Sequence, residues 1–599
     1  MFWADDIAKK LDINQPHIIN DSKTPSGRAH VGALRGVIIH DVMFKVLKEK
    51  GFSVRYLYGV DDFDPLDELP YGKDQHFEQY LGQPLCNVPP PPGTVATDMS
   101  DYYINEFFDV FKTLGVEVEP YRMRDIYRAG QFDEVIDAIL RNAATVREVY
   151  KKVSGAERPA NWYPFQVICE NCGRIGTTEV TGYDGKEVTY TCHPNMVKWA
   201  TGCGHQGKVS PFTGNGKLPW KLEWVAKWKT FGITIEGAGK DHTTKGGSRD
   251  VASKCLKAIF NQTAPTNIPY EFFLVGGAKM SSSRGIGASA KDMSDLLPPE
   301  LLRFLMVRPQ PNKPINFSPD EESIVKLFNE FDRFHTKIHE DNNVTDEQQR
   351  VYHLSETQPE GNYFAVNIQL LQALVQMPHL DVVKEIGARK GEPLTDVDLK
   401  HLNQRIASVK YWLENYASDE ERLELQTELP EKAKTLTDVQ KAFLTFLADA
   451  LPQTTWEDSQ LQAKIFDVAR LTPIKQPLAF LAIYRSLFGR DSGPRAGNLF
   501  VFLDKNFLIE RFQSFSYDKV TFWQESCVTQ EAFSEWLDKK KADVVEIQTQ
   551  MNWLDNVGVV EFFVTLNDGK THLHRILFEN VAQTDFQAQA ETYIKQMQS

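Results

Sequence analysis

The chain has 599 residues, of which 42% are hydrophobic, 25% charged and 11% aromatic. These fractions are typical of folded globular proteins, and they exclude collagen-like, disordered and small disulfide-scaffold classes. The formal net charge of −14 counts against a nucleic-acid-binding surface spread over the whole molecule, but it leaves room for a local basic face.

The N-terminus has no pattern of a signal peptide or an anchor, and no apolar run is long enough to span a membrane. We therefore expect a cytoplasmic protein of several domains. The first domain begins with a strand at residues 17–20, a Pro-Gly turn, a helix from about residue 31 to 50 and a buried strand at 54–60. This order of strand, helix and strand predicts half of a parallel sheet.

Residues 230–276 repeat the same order of elements. A strand is predicted at 233–235, a loop at 237–242, a helix at 248–260 and a strand at 271–275. We therefore predict an α/β fold whose Rossmann-like parallel-sheet catalytic domain comprises residues 1–75 and 226–276. The sequence between the halves, 76–225, is predicted to be an insertion.

The remaining sequence divides into three parts. Residues 277–320 follow the second half of the sheet directly, and residues 321–515 are mostly helical, with amphipathic stretches at 364–376 and 399–416. Residues 516–599 are predicted to form a small α+β extension of unknown role. Its strands, 559–566 and 572–578, are joined by Asn567-Asp568-Gly569, which is a hairpin turn signal.

A first signature stands where the first strand meets its helix, and it contains Pro25, Gly27, His30 and Gly32. Glycines there allow close approach of a phosphate, and a helix N-terminus offers free N–H groups. His30, one turn into the motif, can donate to a phosphate oxygen. The alternative is a turn and helix cap with an incidental histidine.

A second signature follows the last strand of the second half. It contains Lys279, Met280, Ser281, Ser282 and Ser283, flanked by glycines. A cationic, polar loop of this kind can close on a phosphate, although alone it could be a solvated loop. Because the two signatures end strands of the two halves of one sheet, the pair predicts a nucleotide site.

Four clustered cysteines in the insertion predict a metal site. Cys169 and Cys172 form a CxxC pair, Cys192 and Cys203 supply the other half, and His205 is a reserve ligand. Such a closed tetrahedral set is typical of structural zinc; the alternative is four free buried cysteines. Earlier in the insertion only His76 and Cys86 are available, so we predict one zinc ion and not two.

These motifs resemble those of the class I aminoacyl-tRNA synthetases, and within them the class I lysyl-tRNA synthetases. The resemblance spans about 15–515 and rests on His30-Val-Gly, on Lys279-Met-Ser-Ser-Ser, and on four further stretches, 61–64, 218–224, 239–242 and 489–495. Two positions depart from the family. Ala33 stands where His or Asn is usual, and Ser22 stands where glycine is common.

The resemblance implies activation of L-lysine by ATP to lysyl-adenylate, followed by transfer to the 3′ end of tRNA(Lys). It assigns His30 and Lys279 as catalytic residues and implies ATP with Mg²⁺. The implied ATP-binding residues are Pro25, Gly27, His30, Gly32, Lys279, Met280, Ser281, Ser282 and Ser283. The implied lysine-binding residues are Ser22, Thr24, Asp62, Trp220, Asp241, His242 and Tyr270.

The resemblance also implies that 277–320 contacts the tRNA stem and that the helical domain, 321–515, binds the anticodon. The partners are then tRNA(Lys), L-lysine and ATP, with no membrane and no stable protein partner implied. The carboxylate that meets the ε-ammonium is Asp241 or one of Asp61, Asp62 and Asp64.

Three alternatives remain open. The chain could be a class I synthetase for another amino acid, or a nucleotidyltransferase that acts without tRNA. It could also be a catalytically weakened tRNA-binding relative, because Ala33 removes a donor that Arg28 or Arg35 would have to replace.

Overall fold

The computed structural model describes residues 2–69, 75–276, 278–279, 289–341, 344–358, 361–377, 380–418, 422, 424–493 and 495–598. The chain divides into two compact units. The first comprises residues 1–368 and 394–412, and the second comprises 369–393 and 413–599.

The predicted N-terminal βαβ unit is confirmed. Its elements in chain order are α1 (Trp3–Ala8), β1 (His17–Lys23), α2 (Val31–Glu49) and β2 (Val54–Val60). β1 and β2 run parallel, with Ile19 opposite Tyr56. The apolar residues of α2 that predicted the helix, such as Val37 and Val42, are buried. The sheet and α2 thus form a rigid frame around the turn that joins them.

The next segment combines helices, one more strand of the parallel sheet, and small antiparallel sheets. After two short 3₁₀ helices (Gln75–Tyr80 and Leu85–Asn87) it contains α3 (Met99–Thr113), β3 (Glu119–Arg122), α4 (Met123–Arg128), α5 (Asp133–Arg141), α6 (Ala143–Ser154), β4 (Gln166–Val167), β5 (Thr178–Tyr183), β6 (Val188–Cys192), β7 (Gln206–Val209) and β8 (Gly216–Lys217). β3 pairs parallel with β2, Leu57 opposite Glu119. The sheet therefore takes one strand from the stretch that we predicted to be the insertion.

The stretch predicted to be the second half of the sheet follows. Its elements and those that continue the unit are α7 (Trp220–Phe231), β9 (Ala238–Gly239), α8 (Lys240–Thr243), α9 (Ser248–Phe260), β10 (Pro269–Tyr270), β11 (Phe273–Val275), β12 (Ala278–Lys279), α10 (Ala290–Leu296), α11 (Pro299–Val307) and β13 (Ile315–Asn316). In place of the predicted strand at 233–235, Ile235 forms parallel bridges with Ile19 and Thr266. The parallel order across the sheet is therefore β3, β2, β1, Ile235 and Thr266. Apart from the Ile235 bridges, the strands of this stretch form separate sheets, β9 with β10 and β11 with β12 and β13.

The predicted helical region is confirmed as helical. Its helices are α12 (Glu321–Thr336), α13 (Asp346–Ser355), α14 (Ile368–Val375), α15 (Val382–Lys390), α16 (Asp396–Asn415), α17 (Asp438–Ala450), α18 (Asp458–Leu471), α19 (Gln476–Phe488), α20 (Ala496–Phe502), α21 (Lys505–Gln513) and α22 (Lys519–Ser526), with a π-turn at Lys337–Asp341 and 3₁₀ helices at Glu431–Thr435 and Leu451–Gln453. In the part of the chain that the structure describes, no helix is both long and apolar enough to cross a membrane.

Within the predicted extension, 516–599, α22 is followed by a helix, three antiparallel strands and a further helix. These are α23 (Gln530–Lys540), a 3₁₀ turn (Lys541–Asp543), β14 (Val544–Leu554), β15 (Val557–Leu566), β16 (Thr571–Glu579) and α24 (Gln583–Gln598). The predicted hairpin of β15 and β16 is confirmed. β14 pairs with the other edge of β15 and was missed. Asp555 and Asn556, both with positive φ, form the tight turn between β14 and β15.

Candidate active site

A cavity of about 590 Å³ lies at the carboxyl ends of β1 and β2, where parallel sheets of this type bind ligands. Its polar lining combines acidic and basic groups. The carboxylates are Asp61, Asp64, Asp67 and Glu223, and the ammonium groups are Lys23, Lys217 and Lys227. The cavity thus has one more carboxylate than ammonium, which favours a ligand that carries net positive charge.

Two of the three lysines that line the cavity form ion pairs with its carboxylates. Lys217 contacts Asp64 and lies 3.1 Å from Glu223 Oε2, while Lys227 Nζ lies 2.5 Å from Asp61 Oδ1. Both side chains are only 2% exposed. Burial opposes their charged forms, but the carboxylates outweigh it and raise the pKa of both lysines. Asp61 and Asp64 are therefore already neutralised by the protein.

The third lysine, Lys23, ends β1 and also lines the cavity. Among the described residues it makes no ion pair with a carboxylate, in contrast to Lys217 and Lys227. Burial lowers its pKa, and the nearby Asp21 and Asp61 oppose that shift only in part. Lys23 is thus a cation that a ligand anion could neutralise. Lys23 was not predicted as a site residue, because a lysine at the end of a strand is not part of a recognisable motif.

The first signature places His30 at the N-terminus of α2. His30 Nδ1 accepts a hydrogen bond from the backbone N–H of Ala33 at 3.1 Å, so a neutral ring carries its proton on Nε2 and can donate there. A Cβ added at Gly32 would lie 2.9 Å from His30 Nδ1. Gly32 is therefore needed for the position of the ring. Gly27 has no atom within 4 Å of an added Cβ, which leaves space for a ligand.

The stretch that carries the second signature is anchored at both ends. Lys279 pairs through its backbone with Leu274 of β11, and Ser289 forms an antiparallel bridge with His30. Ser289, which follows the second signature in the chain, is thus in contact with His30 of the first. Met280, Ser281, Ser282 and Ser283 lie outside the described residues, and for Lys279 the description extends to the backbone only.

The two arginines predicted to replace the donor missing at Ala33 differ in how far they are engaged. Arg28 is held by Glu106, with Nε–Oε1 at 3.0 Å, and by Asp292 at 3.2 Å. Arg35 is buried, and its Nη2 donates to the backbone carbonyl oxygens of residues 310, 311 and 313 at 3.4, 3.1 and 2.6 Å, whereas its Nε and Nη1 have no hydrogen-bond partner among the described residues. The structure therefore argues against Arg28 as the replacement donor, and the role of Arg35 stays a prediction.

Four of the predicted lysine-binding residues line one cavity: Ser22, Thr24, Trp220 and His242. The ring centroids of Trp220 and His242 lie 5.4 Å apart, and Trp220 is 45% exposed, so it is a cavity wall and not a core tryptophan. Thr24 donates to Asp64 Oδ2 at 2.5 Å.

The other three predicted residues lie outside the cavity lining. Tyr270 pairs with Gly239, just before α8, and Asp241 on α8 lies 4.0 Å from His242. Both are therefore close to its edge. Asp62 points away from the cavity: its two carboxylate oxygens accept hydrogen bonds from Arg124 N at 2.8 Å and Arg124 Nε at 2.5 Å. Asp62 is buried in a structural ion pair, and its assignment to the ligand is a prediction that the structure does not support.

The four cysteine sulfurs of the predicted metal site converge. All four Sγ atoms lie within 4.8 Å of one another, with Cys169–Cys203 at 3.6 Å and Cys172–Cys192 at 3.7 Å. Tetrahedral Zn–S bonds of about 2.3 Å place sulfurs about 3.8 Å apart, so the donor set fits zinc. His205 is not a member of this set.

A family model and curated relatives identify the family of this chain. Residues 1–358 match the family described as tRNA synthetases class I (K). A lysine–tRNA ligase of Methanosarcina barkeri is 32% identical over 86% of this chain and 97% of its own length. One of Methanocaldococcus jannaschii is 32% identical over 86% and 100%. A solved glutamate tRNA ligase of Elizabethkingia meningosepticum is 15% identical, covering 84% of this chain and 99% of its own, with a TM-score of 0.39.

Proposed function

Because this chain belongs to the family of class I (K) tRNA synthetases, we propose that it is a lysine–tRNA ligase. It activates L-lysine with ATP to lysyl-adenylate and transfers the lysyl group to the 3′ end of tRNA(Lys) in the cytoplasm. The observation that carries this proposal is the cavity beside the first signature, which has an excess of carboxylates over ammonium groups and an exposed tryptophan wall.

In the activation step, a carboxylate oxygen of lysine attacks the α-phosphorus of ATP, and the bond to the β-phosphate oxygen breaks to release pyrophosphate. The substrate is its own nucleophile, so the protein contributes alignment and charge stabilisation. His30 donates through Nε2 to a phosphate oxygen, the N-terminus of α2 adds its N–H groups, and Lys279 contributes a cation from the second signature. Mg²⁺ bound with ATP would supply further positive charge at the phosphates.

The ATP site is proposed to include Pro25, Gly27 and Gly32 as well as Met280 to Ser283. Gly27 supports this assignment because the space beside its Cα is open, and Gly32 supports it through the position of His30. These two glycines act differently: the first admits the nucleotide, and the second orients the histidine.

We propose that Lys23 binds the reacting carboxylate of the substrate lysine. It is the cavity ammonium without a carboxylate partner among the described residues, and it is half-buried, so an anionic ligand would form a charge-assisted hydrogen bond with it. Asp241 or Asp67 then neutralises the ε-ammonium, since Asp61 and Asp64 already bind Lys227 and Lys217. Trp220 covers the methylene chain.

Cys169, Cys172, Cys192 and Cys203 are proposed to hold one structural zinc ion. A closed set of four protein ligands leaves no position for a substrate, so the ion would stabilise the fold of residues 160–217 without taking part in the reaction. In this proposal the helices of 321–515 bind the anticodon, and residues 277–320 contact the tRNA stem.

One observation favours a second candidate. Ala33 lacks the donor that most class I enzymes have there, and Arg28 is engaged by Glu106 and Asp292, which is what a catalytically weakened tRNA-binding relative would show. The test is aminoacylation of tRNA(Lys) with labelled lysine. The ligase forms lysyl-tRNA that needs His30, whereas the weakened relative binds tRNA(Lys) but leaves it uncharged.

A further inference from the structure

The C-terminal module has a long open sheet edge. β14 runs for 11 residues, about 35 Å, at one side of the β14-β15-β16 sheet. The outer edge of β16 is approached by Val528, whose N–H donates to Arg575 O at 2.9 Å. No strand in the described ranges pairs with the outer edge of β14. Its outward N–H and C=O groups are therefore a template for another strand.

After a β-bulge between Val544 and Glu546, the rest of this edge has few of the features that normally prevent strand pairing. Edge strands are usually protected by lysines, prolines or covering segments, yet β14 contains neither residue, and its one charged side chain is Glu546. Two large apolar side chains on it are exposed, Val545 by 67% and Met551 by 39%. An edge strand of this composition is typical of one that forms hydrogen bonds with a further strand.

A groove of about 290 Å³ runs beside the first part of β14, on the side of the sheet that the helices cover. Its apolar lining comes from α23, β14 and α24: Leu537, Val544, Ile547 and Met597. Ile547 and Met551 are an even number of residues apart, so both point to this side. Their partners on β15, Val564 and Val560, belong to the core of the module.

We propose that β14 pairs antiparallel with β14 of a second copy of this chain, around a two-fold axis at Thr549. In this register Ile547 lies opposite Met551 of the second copy. Because directly opposite residues point to the same side, each Met551 lies at the groove of the other copy and fills apolar space there.

In this register the two copies of β14 do not repel each other. Glu546 lies opposite Asn552 and Gln548 lies opposite Gln550, so no like charges face each other. A two-fold contact uses one patch twice and closes after two copies. The product is a dimer with a continuous six-stranded sheet.

The test is the mass of the full chain in solution, by sedimentation equilibrium and native mass spectrometry. The wild type is expected to shift from one to two chains as its concentration rises. Gln548→Lys with Gln550→Lys places lysine opposite lysine twice and should leave the protein monomeric. Gln548→Glu with Gln550→Lys changes the same two exposed positions but places glutamate opposite lysine, and it should restore the dimer.

A matched control is Gln453→Lys with Gln460→Lys, which adds the same charge on exposed positions away from β14 and should leave the dimer intact. Lysine activation per chain should be equal in all variants, which shows that each is folded. A wild type that is monomeric up to ~100 μM would overturn the proposal, and so would a dimer that is insensitive to the paired lysines. Failure here leaves the proposed ligase activity unaffected, since that is measured independently.

Discussion

Lys227 Nζ lies 2.5 Å from Asp61 Oδ1, so an ion pair joins α7 to the segment after β2 beneath the cavity. Replacement of Lys227 by Met would leave the Asp61 carboxylate largely buried without its partner. We expect a loss of about 3 kcal/mol in the free energy of unfolding, measured by urea denaturation.

The matched variant for this pair is Asp61→Asn with Lys227→Met. Removing both charges should recover at least ~1 kcal/mol relative to Lys227→Met alone. If the two single losses simply add in the double variant, the ion pair is not the reason for the instability.

The role of His30 is tested by two different substitutions. His30→Ala should lower the rate of lysine-dependent pyrophosphate exchange by ~10²-fold with only a small fall in the unfolding midpoint, which comes from the lost cap on Ala33 N. Gly32→Ala should act through the same ring, because its Cβ would lie 2.9 Å from His30 Nδ1, and combining it with His30→Ala should add little further loss. A Gly32→Ala enzyme with full activity would contradict this assignment.

The missing donor at Ala33 predicts that adding a donor there increases the rate of lysine activation. Since Arg28 is held by Glu106 and Asp292 and Arg35 is buried, Ala33→Asn should raise kcat for pyrophosphate exchange several-fold. Ala33→Leu, which fills the space without a donor, is the control and should not. An unchanged rate in Ala33→Asn would show that the site does not use a donor at this position.

Lys23 is tested with a substrate analogue that lacks the carboxylate. Lys23→Met should weaken lysine binding by ~10-fold and leave the binding of L-lysinol unchanged, as measured by calorimetry. Lys23→Arg should retain part of the affinity for lysine. Equal losses for lysine and lysinol, or no loss for either, would exclude contact with the carboxylate.

The metal centre predicts one zinc ion per chain. Cys169→Ser or Cys192→Ser should remove it and lower the thermal midpoint, because a structural zinc site contributes directly to folding. His205→Ala should retain the ion, since His205 is outside the group of four sulfurs. Elemental analysis of the purified protein checks this. Zinc retained in both cysteine variants would contradict the assignment.

Much of the site could be predicted from the sequence because its motifs are local. Residues 25–32 define a turn and the start of a helix, so His30 and Gly32 could be placed without any tertiary information. The four cysteines could also be grouped, since the CxxC spacing already predicts a metal ligand pair.

Other features depend on tertiary structure. Asp61 and Asp62 are adjacent in sequence, yet Asp61 lines the cavity and Asp62 is buried against Arg124; only the direction of each side chain after β2 separates them. β3 was missed because it is four residues long and lacks an apolar run, and its strand conformation comes from pairing with β2. The interaction of Lys217 with Asp64 likewise joins residues far apart in the chain.

The proposed function is tested most directly by pyrophosphate exchange into ATP with each amino acid in turn, with and without total tRNA. We expect exchange with lysine and with no other amino acid, at a rate that falls ~10²-fold in His30→Ala. Exchange with arginine, glutamate or glutamine in place of lysine would contradict the proposed substrate. Absence of exchange with every amino acid in both arms would contradict the ligase assignment itself.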